Sequence, residues 1–339
     1  MKNGRKIEIG HGSGGLLMHE LIRDVFIKGF DNLHLRLEED SAIVKASSDL
    51  IACTTDTYVV HPVIFPGGDL GKLAVCGTIN DLAVSGATPQ YLTAGFILEE
   101  GLPLDILEEL VESMKTEADR ACVKIIAGDT KVVGKGQVDQ LFINTSGIGY
   151  FKDHGRMNNG PRRIDVGDVL IINGFTGEHE AAIINAREKL FDSSLLVSDC
   201  AALNDMIEKV LVSSSGVKFM RDITRGGLSG ILNEISRLAN VGMNIEEHSI
   251  PVSDPVKGFC EMLGYDPFYF ACEGRCLMVC SKPEANDVLS VLRRHELGRN
   301  AAMIGEITKE HPGEVILNTL IGGRRIMEPP VTSQTPRIC

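Results

Sequence analysis

The sequence predicts an α+β (mixed α/β) protein built as two domains and a tail, and three observations carry that reading. A chain of 339 residues exceeds what one ordinary hydrophobic core organises. Strand-like and helix-like segments alternate through the first half, break at the polar, glycine-rich stretch FKDHGRMNNGPRR (151–163), and then resume. Core patterning stops at Ile326, and the residues that follow carry three prolines among polar neighbours. The expected divisions are 1–155, 156–326 and 327–339.

The elements follow in order. LIACTTDTYVV is a β-rich run, and GKLAVCGTINDLAVSGATP reads as a helix closed by Gly86 and Pro89. YLTAGFILEE is again strand-like. From Leu104 to Cys122 the apolar residues Leu107, Leu110, Val111, Met114, Ala118 and Cys122 recur at i, i+3, i+4 spacing, which predicts an amphipathic helix. VKIIAGDT and DQLFINTSGIGY are strands. Beyond the interruption, DVLIING is a strand and GEHEAAIINAREKL a helix. RGGLSGILNEISRLANVG predicts a helix opened by a glycine pair and closed by Gly242. EANDVLSVLRRHE is a further helix, and RCLMVC, AAMIGEIT and GEVILNT are strands. The tail reads as extended or disordered, with a reach of about 40 Å.

Composition narrows the function. Net charge is −12 and the basic residues form no run longer than a pair, so nucleic acid is an unexpected partner. No stretch approaches the apolar length that spans a bilayer, and the N-terminus has no signal-peptide core. Nine cysteines without regular spacing argue against a disulfide scaffold and for a reduced, cytoplasmic protein. Cys272, Cys276 and Cys280 recur every four residues, but RCLMVC alternates like a strand. That pattern makes buried core thiols a better reading than a metal cluster. Glycine is abundant, at 36 residues, which suggests tight turns and close backbone approach to a ligand.

Four glycine-rich stretches sit where strands meet helices: GHGSGG (10–15), PGGDLGK (66–72), AGDTK (127–131) and DITRGGL (222–228). Backbone N–H groups at helix starts suit phosphate. A P-loop is excluded, because Gly67 to Gly71-Lys72 is one residue short and Leu73 replaces the hydroxyl residue. Asp56, Asp81 and Asp129 each end an apolar segment. Singly, such aspartates are caps or turn formers. Together with the glycine loops and Lys72 they fit Mg²⁺–ATP, since Mg²⁺ takes a few carboxylates plus phosphate oxygens.

Several stretches, in this order, resemble the HypE family of hydrogenase maturation factors across essentially the whole chain. They are HGSGG, TDTYVVHPVIFPGGDLGKLAVCGTINDLAVSGATP, GFILEEGLP, GDTKVV, LFINTSG, LVSDC, DITRGGL, the EG at 273–274 and the final PRIC. That family shares a superfamily with aminoimidazole ribonucleotide synthetase, selenophosphate synthetase and thiamine-monophosphate kinase. The resemblance implies a two-domain PurM-like ATP-binding fold, and a homodimer in which the N-terminal domains pair into a β-barrel. It also implies a flexible C-terminal tail.

The implied chemistry places a carbamoyl group, delivered by a HypF-type carbamoyltransferase, on Cys339. ATP then drives its dehydration from thiocarbamate to thiocyanate. The cyanide passes to iron on a HypC–HypD complex, for a nickel–iron hydrogenase centre. In that scheme Glu273 matches the base, and Lys131 steadies the activated oxygen. Asp56, Asp81 and Asp129 hold Mg²⁺, and Lys72 faces the phosphates. Asp222, Thr224 and Arg225 line the site from the second domain, and His11 closes it from the N-terminus. Arg337 is expected to oppose the effect of the α-carboxylate on the Cys339 thiol, and Pro336 to keep the end extended. The chain departs from the family's Gly-Asp-His-Gly at GEHE (177–180), where Glu178 and Glu180 flank a retained His179. A sister phosphoryl transferase, a selenophosphate synthetase-like enzyme and a non-catalytic cyanide carrier are the competing readings. Two things count against them: no cysteine precedes HGSGG, and the acidic and lysine residues are all present.

Overall fold

The computed structural model describes residues 6–12, 16–36, 41–42, 44–153, 160–330 and 337–339. Ser13–Gly15 of HGSGG, 154–159 of the polar interruption and 331–336 of the tail, Pro336 among them, lie outside the described residues. Near the N-terminus run three short helices, α1 (Leu16–Leu21), α2 (Lys28–Phe30) and α3 (Leu33–Arg36). The sequence pattern did not disclose them, for a physical reason. A π-helical turn, Ile22–Ile27, joins α1 to α2 and shifts the apolar period away from 3.6.

The first sheet holds β1 (Ile51–Tyr58), β4 (Thr88–Glu99), β5 (Lys124–Val133) and β6 (Leu141–Tyr150) in the order β1-β6-β4-β5. A small hairpin, β2 (Ile64–Phe65) and β3 (Gly68–Asp69), leads into helix α4 (Leu70–Val84). Helix α5 (Leu104–Arg120) buries Leu107, Leu110, Val111, Met114 and Ala118 of the apolar stripe seen in the sequence, but Cys122 lies past its end in the left-handed conformation (φ 58°) and is exposed. Every residue of α4 is buried except Lys72 and Asp81, so it is a core helix rather than an amphipathic one. Gly86, left-handed at φ +88°, closes it as expected, but Pro89 belongs to β4.

The second sheet holds seven strands in the order β13-β12-β9-β11-β7-β10-β8. They are β7 (Val169–Ile172), β8 (Val217–Asp222), β9 (Gly242–Glu246), β10 (Cys276–Cys280), β11 (Ala302–Thr308), β12 (Val315–Asn318) and β13 (Arg324–Ile326). Its helices are α6 (Glu178–Glu188), α7 (Asn204–Ser213), α8 (Gly227–Ala239), α9 (Asp254–Leu263) and α10 (Ala285–Arg294). Strand β10 alternates as its sequence does. Cys276, Met278 and Cys280 face one apolar cluster, and Leu277 and Val279 face another. Helix α8 ends not at Gly242 but at Asn240, which takes the left-handed conformation (φ 53°); Gly242 opens β9 against the Glu310 carbonyl. Strands β8 and β9 and helices α7 and α9 were not read from the sequence. Their runs are short and flanked by polar residues.

The tail does not simply extend away from the body, because its last three residues are seated. Ile338 is buried in the first core, Val59 N donates to the Cys339 carbonyl at 3.1 Å, and His61 N donates to the Arg337 carbonyl at 3.3 Å. Among the described residues no helix is long and apolar enough to cross a membrane.

Gly71, in the first turn of α4, packs so closely on α5 that a Cβ there would run into the Leu110 carbonyl. Gly71→Ala should therefore cost about 1–3 kcal/mol, outweighing the ~1 kcal/mol that alanine gains in a helix. Urea denaturation should show a lower midpoint; an equal or higher one contradicts this packing.

Candidate active site

A cleft of about 580 Å³ opens between the two sheets. From the first domain, β1 contributes Thr54, Asp56 and Tyr58, and the last turns of α4 contribute Asp81. Thr54 Oγ1 donates to Asp81 Oδ2 at 2.7 Å, and the Tyr58 hydroxyl donates to Asp56 Oδ2 at 3.2 Å. From the second domain come Asp222, Thr224 and Arg225. These lie where β8 ends and turns into α8 through Gly226 and Gly227, both left-handed at φ +82° and +60°. Two consecutive positive φ values, with Gly227 pressed against the backbone of Tyr269 and Phe270, explain the glycine pair of DITRGGL.

Glu273 reaches the same cleft because its loop runs alongside that turn. Cys272 N donates to the Ile223 carbonyl and Ile223 N to the Arg275 carbonyl, each at 2.9 Å. The Asp199 carboxylate accepts from Glu273 N at 3.1 Å and Gly274 N at 3.2 Å, and the Asn80 amide of α4 donates to the Glu273 carbonyl at 3.2 Å. Glu273 is only 4% exposed, where the sequence alone suggested a surface carboxylate.

Electrostatically the cleft is crowded with acid. Burial, then the neighbouring Asp56 charge, raises the Asp81 pKa. Asp222 is pushed up to about 7 by desolvation and then by Asp81. Burial and Asp222 hold the Glu273 carboxyl well above the usual range. The Cys339 sulfur lines this cleft, with Arg225 Nη1 donating to it at 3.6 Å. Burial and the Glu273 charge push its thiol up to about 12 against the opposing guanidinium. Arg337 does not fill the expected role beside the thiol. Its Nη1 donates to Asp139 Oδ2 at 2.6 Å and its Nε to the Val59 carbonyl at 2.9 Å, leaving Arg225 as the cation at the sulfur.

Asp56, Asp81, Asp222, Thr224, Arg225, Glu273 and Cys339 are thus brought together, and four expected residues are not. Lys72 stands nine residues before Asp81 on α4, about 14 Å along the axis. There its ammonium donates to the Gly67 carbonyl at 3.1 Å. Asp129 and Lys131 are on β5, at the opposite edge of the sheet from β1. The register Asp56–Thr145–Ala94–Gly128 runs straight across, so Asp129, one residue on, points to the other face. Three strand spacings separate it from Asp56, about 14 Å. There Asp129 pairs with Lys131 Nζ at 2.6 Å, and this bond lowers its pKa. His11 lies in the turn Ile9–Gly12, which packs on β5. The expected metal triad of Asp56, Asp81 and Asp129 therefore does not form within one chain. Among the described residues no three His, Cys, Asp or Glu side chains are placed to hold a metal ion.

Sequence reasoning missed Tyr58, Asn80, Asp199 and Arg275, which are structural supports of the cleft. Arg275 is buried between Glu178, at 2.8 Å, and Asp199, at 3.5 Å. The LVSDC segment was a usable signal for Asp199, but its partners lie some seventy-five residues away and nothing local names them.

The raised acids make stability pH-dependent. A folded pKa near 7 for Asp222, above an ordinary carboxylate's ~3.9, contributes stability below pH 4 that is lost as pH rises through 7. The melting temperature of nucleotide-free protein should therefore fall from pH 5 to pH 8, and less steeply in Asp222→Asn; equal slopes would contradict the assignment. The seated thiol should also alkylate more slowly than the exposed Cys53 and Cys122, as read by peptide mass.

Comparison with known proteins finds relatives along the whole chain. Residues 38–151 match the family described as AIR synthase related protein, N-terminal domain, and residues 165–318 its C-terminal domain. The chain is 44% identical to the carbamoyl dehydratase HypE of Rhodobacter capsulatus over 98% of both chains. It is 44% identical to that of Escherichia coli K12, over 98% of this chain and 99% of the other. The crystal structure of the hydrogenase maturation protein HypE in complex with ATP superposes with a TM-score of 0.94 at 40% identity, covering 98% of this chain and 99% of that one. HypE in its complex with HypF gives a TM-score of 0.80 at 44% identity, covering 91% and 99%. Thiamine monophosphate kinase from Aquifex aeolicus, at 16% identity and a TM-score of 0.64, shares the fold over 92% and 99% of the two chains. On the strength of full-length identity and a shared two-domain fold, the chain belongs to the HypE carbamoyl dehydratase family.

Proposed function

We propose that this protein is an ATP-dependent carbamoyl dehydratase acting on a carbamoyl group carried by its own Cys339. The observation that carries the reading is the seat of that sulfur, beside Arg225 and the buried Glu273 in an acidic cleft. A kinase of a free small molecule has no use for a thiol held there.

The carbamoyl oxygen of R–S–C(=O)NH₂ attacks the γ-phosphorus of ATP and ADP leaves. The oxygen then departs as phosphate while the nitrogen gives up both protons, leaving R–S–C≡N. Glu273, once ionised, is a strong acceptor for those protons because its buried carboxyl is held high. Arg225 neutralises charge that builds at the oxygen. Asp56 and Asp81 fit a Mg²⁺ ion, since two crowded carboxylates plus phosphate oxygens meet its needs; bound there, the ion supplies charge neutralisation during phosphoryl transfer.

Asp129, Lys131 and His11 belong, in this reading, to the cleft of a second copy. A homodimer joining its four-stranded sheets into a barrel would carry the far edge of one sheet to the partner's cleft. Asp129 would then add a third carboxylate and Lys131 would steady the activated oxygen. A HypF-type carbamoyltransferase in the cytoplasm would load Cys339, and a HypC–HypD iron complex would receive the cyanide.

The test is intact mass after incubation with carbamoyl phosphate, ATP and the transferase. One carbamoyl adduct should form on Cys339 and then lose one water. Cys339→Ala should remain unmodified yet bind ATP, and Glu273→Gln should stall at the adduct. ATP turnover without an adduct would favour a sister kinase, and an adduct that never dehydrates would favour a carrier. For the shared site, Asp56→Asn and Asp129→Asn should each be inactive. Mixing the two should restore roughly a quarter of wild-type activity, because half the dimers carry one intact site. No recovery in confirmed mixed dimers would refute sharing.

A further inference from the structure

The three side chains of the turn that opens α6, Gly177-Glu178-His179-Glu180, grip two different segments. Glu178 Oε2 accepts from Arg275 Nη2 at 2.8 Å, and Arg275 also donates to the carbonyls of Phe175 and Gly274, each at 3.0 Å. Glu180, 2% exposed, makes a reciprocal pair with the backbone of one residue. Its Oε2 accepts from Ala271 N at 2.8 Å, and its own N donates to the Ala271 carbonyl at 3.2 Å. The two carboxylates thereby hold both ends of the stretch 271–275, with Glu273 at its centre.

His179, between them, points the other way. It is fully buried, with Nε2 2.6 Å from the Ile338 carbonyl and Nδ1 2.8 Å from Ser198 Oγ. A carbonyl only accepts, so Nε2 carries the proton and Nδ1 accepts from the serine hydroxyl. Ser198 Oγ in turn accepts from Cys200 N at 3.1 Å. Burial lowers the His179 pKa, which keeps the ring in this neutral form.

We propose that this turn is a positioning device. Glu178 and Glu180 fix the Glu273 segment, His179 fixes the segment ending at Cys339, and the rigid first turn of α6 sets the two in register. Glu180 is the part most open to test, since a glycine there would offer Ala271 N no side-chain acceptor. The inference rests on the dehydratase reading for its catalytic consequence, but not for the seating of Cys339.

The test uses the full chain, carbamoylated by the transferase, in single turnover with ATP, alongside alkylation of unloaded Cys339 by iodoacetamide. Glu180→Gly should slow dehydration on the order of tenfold, as expected for a lost buried hydrogen bond, with the ATP dissociation constant unchanged. Glu180→Gln, which keeps an acceptor oxygen, should restore the rate. His179→Ala should speed Cys339 alkylation, and His179→Gln, which keeps a donor, should restore protection. The proposal is overturned if Glu180→Gly dehydrates at the wild-type rate or loses ATP affinity in step with it. It is equally overturned if His179→Ala leaves the thiol as protected as before. Wild-type adduct that never loses water would sink the dehydratase reading instead, while the alkylation arm still decides whether His179 seats the thiol.

Discussion

One buried amide ties the two domains to a common frame. Asn80, one residue before Asp81 on α4, donates through Nδ2 to the carbonyls of Ala201 and Glu273, and accepts through Oδ1 from Leu203 N at 2.8 Å. All three partners lie in the second domain. Because α4 is buried on nearly every side, the helix cannot slide to ease these bonds. The distance between the Asp81 carboxylate and the Glu273 loop is therefore set by adjacent residues of one rigid helix. The second domain repeats the device, with Asp199 and Arg275 bracing the same loop from behind. A carboxyl on a loop thus acquires the precision of one on a helix.

That rigidity has an electrostatic cost. Asp56, Asp81, Asp222 and Glu273 face one another, and of the two arginines lining the cleft Arg221 already pairs with Glu234 at 3.0 Å. Flexible acids would swing apart into water, but these cannot, and the carboxyls of Asp81, Asp222 and Glu273 hold their protons more tightly instead. A polyphosphate alone would be repelled by such a surface. A divalent cation held by Asp56 and Asp81 would supply the opposite charge such a surface lacks.

The legible part of the site was the part written locally. Asp56 and Asp81 close apolar runs and the DITRGGL turn declares its own backbone, whereas Glu273 stood out only through the family resemblance. What stayed hidden depended on distance. Lys72 and Asp81 share a helix, and simple rise arithmetic already separates them. Asp129 required the strand order, because β5 follows β4 in sequence yet lies at the far edge from β1, with its side chain on the opposite face. Glu178 and Glu180 looked like a disruption of a family motif because their partners, Arg275 and Ala271, are more than ninety residues away. The fold was more legible than the site: periodicity marks each apolar run, while convergence is a property of the sheet.

The seat of the last three residues is balanced rather than tight, as a travelling carrier group would require. Burying Ile338 contributes about 2–3 kcal/mol. Besides the weaker Arg225 contact to the sulfur, five hydrogen bonds hold these residues: from Val59 N, His61 N, His179 and Arg187, and from Arg337 to the Val59 carbonyl. They add about 5 kcal/mol in total at the usual net value, and the half-exposed Arg337–Asp139 pair adds less than 1 kcal/mol. Ordering three residues of backbone with the arginine and isoleucine side chains costs about 6–9 kcal/mol. The two sides nearly cancel, so a small differential interaction decides where the thiol sits. Adding a carbamoyl group to the sulfur, or a charged nucleotide to the cleft, is a perturbation of that size. A seat this close to balance would let the loading of the site decide where the thiol sits.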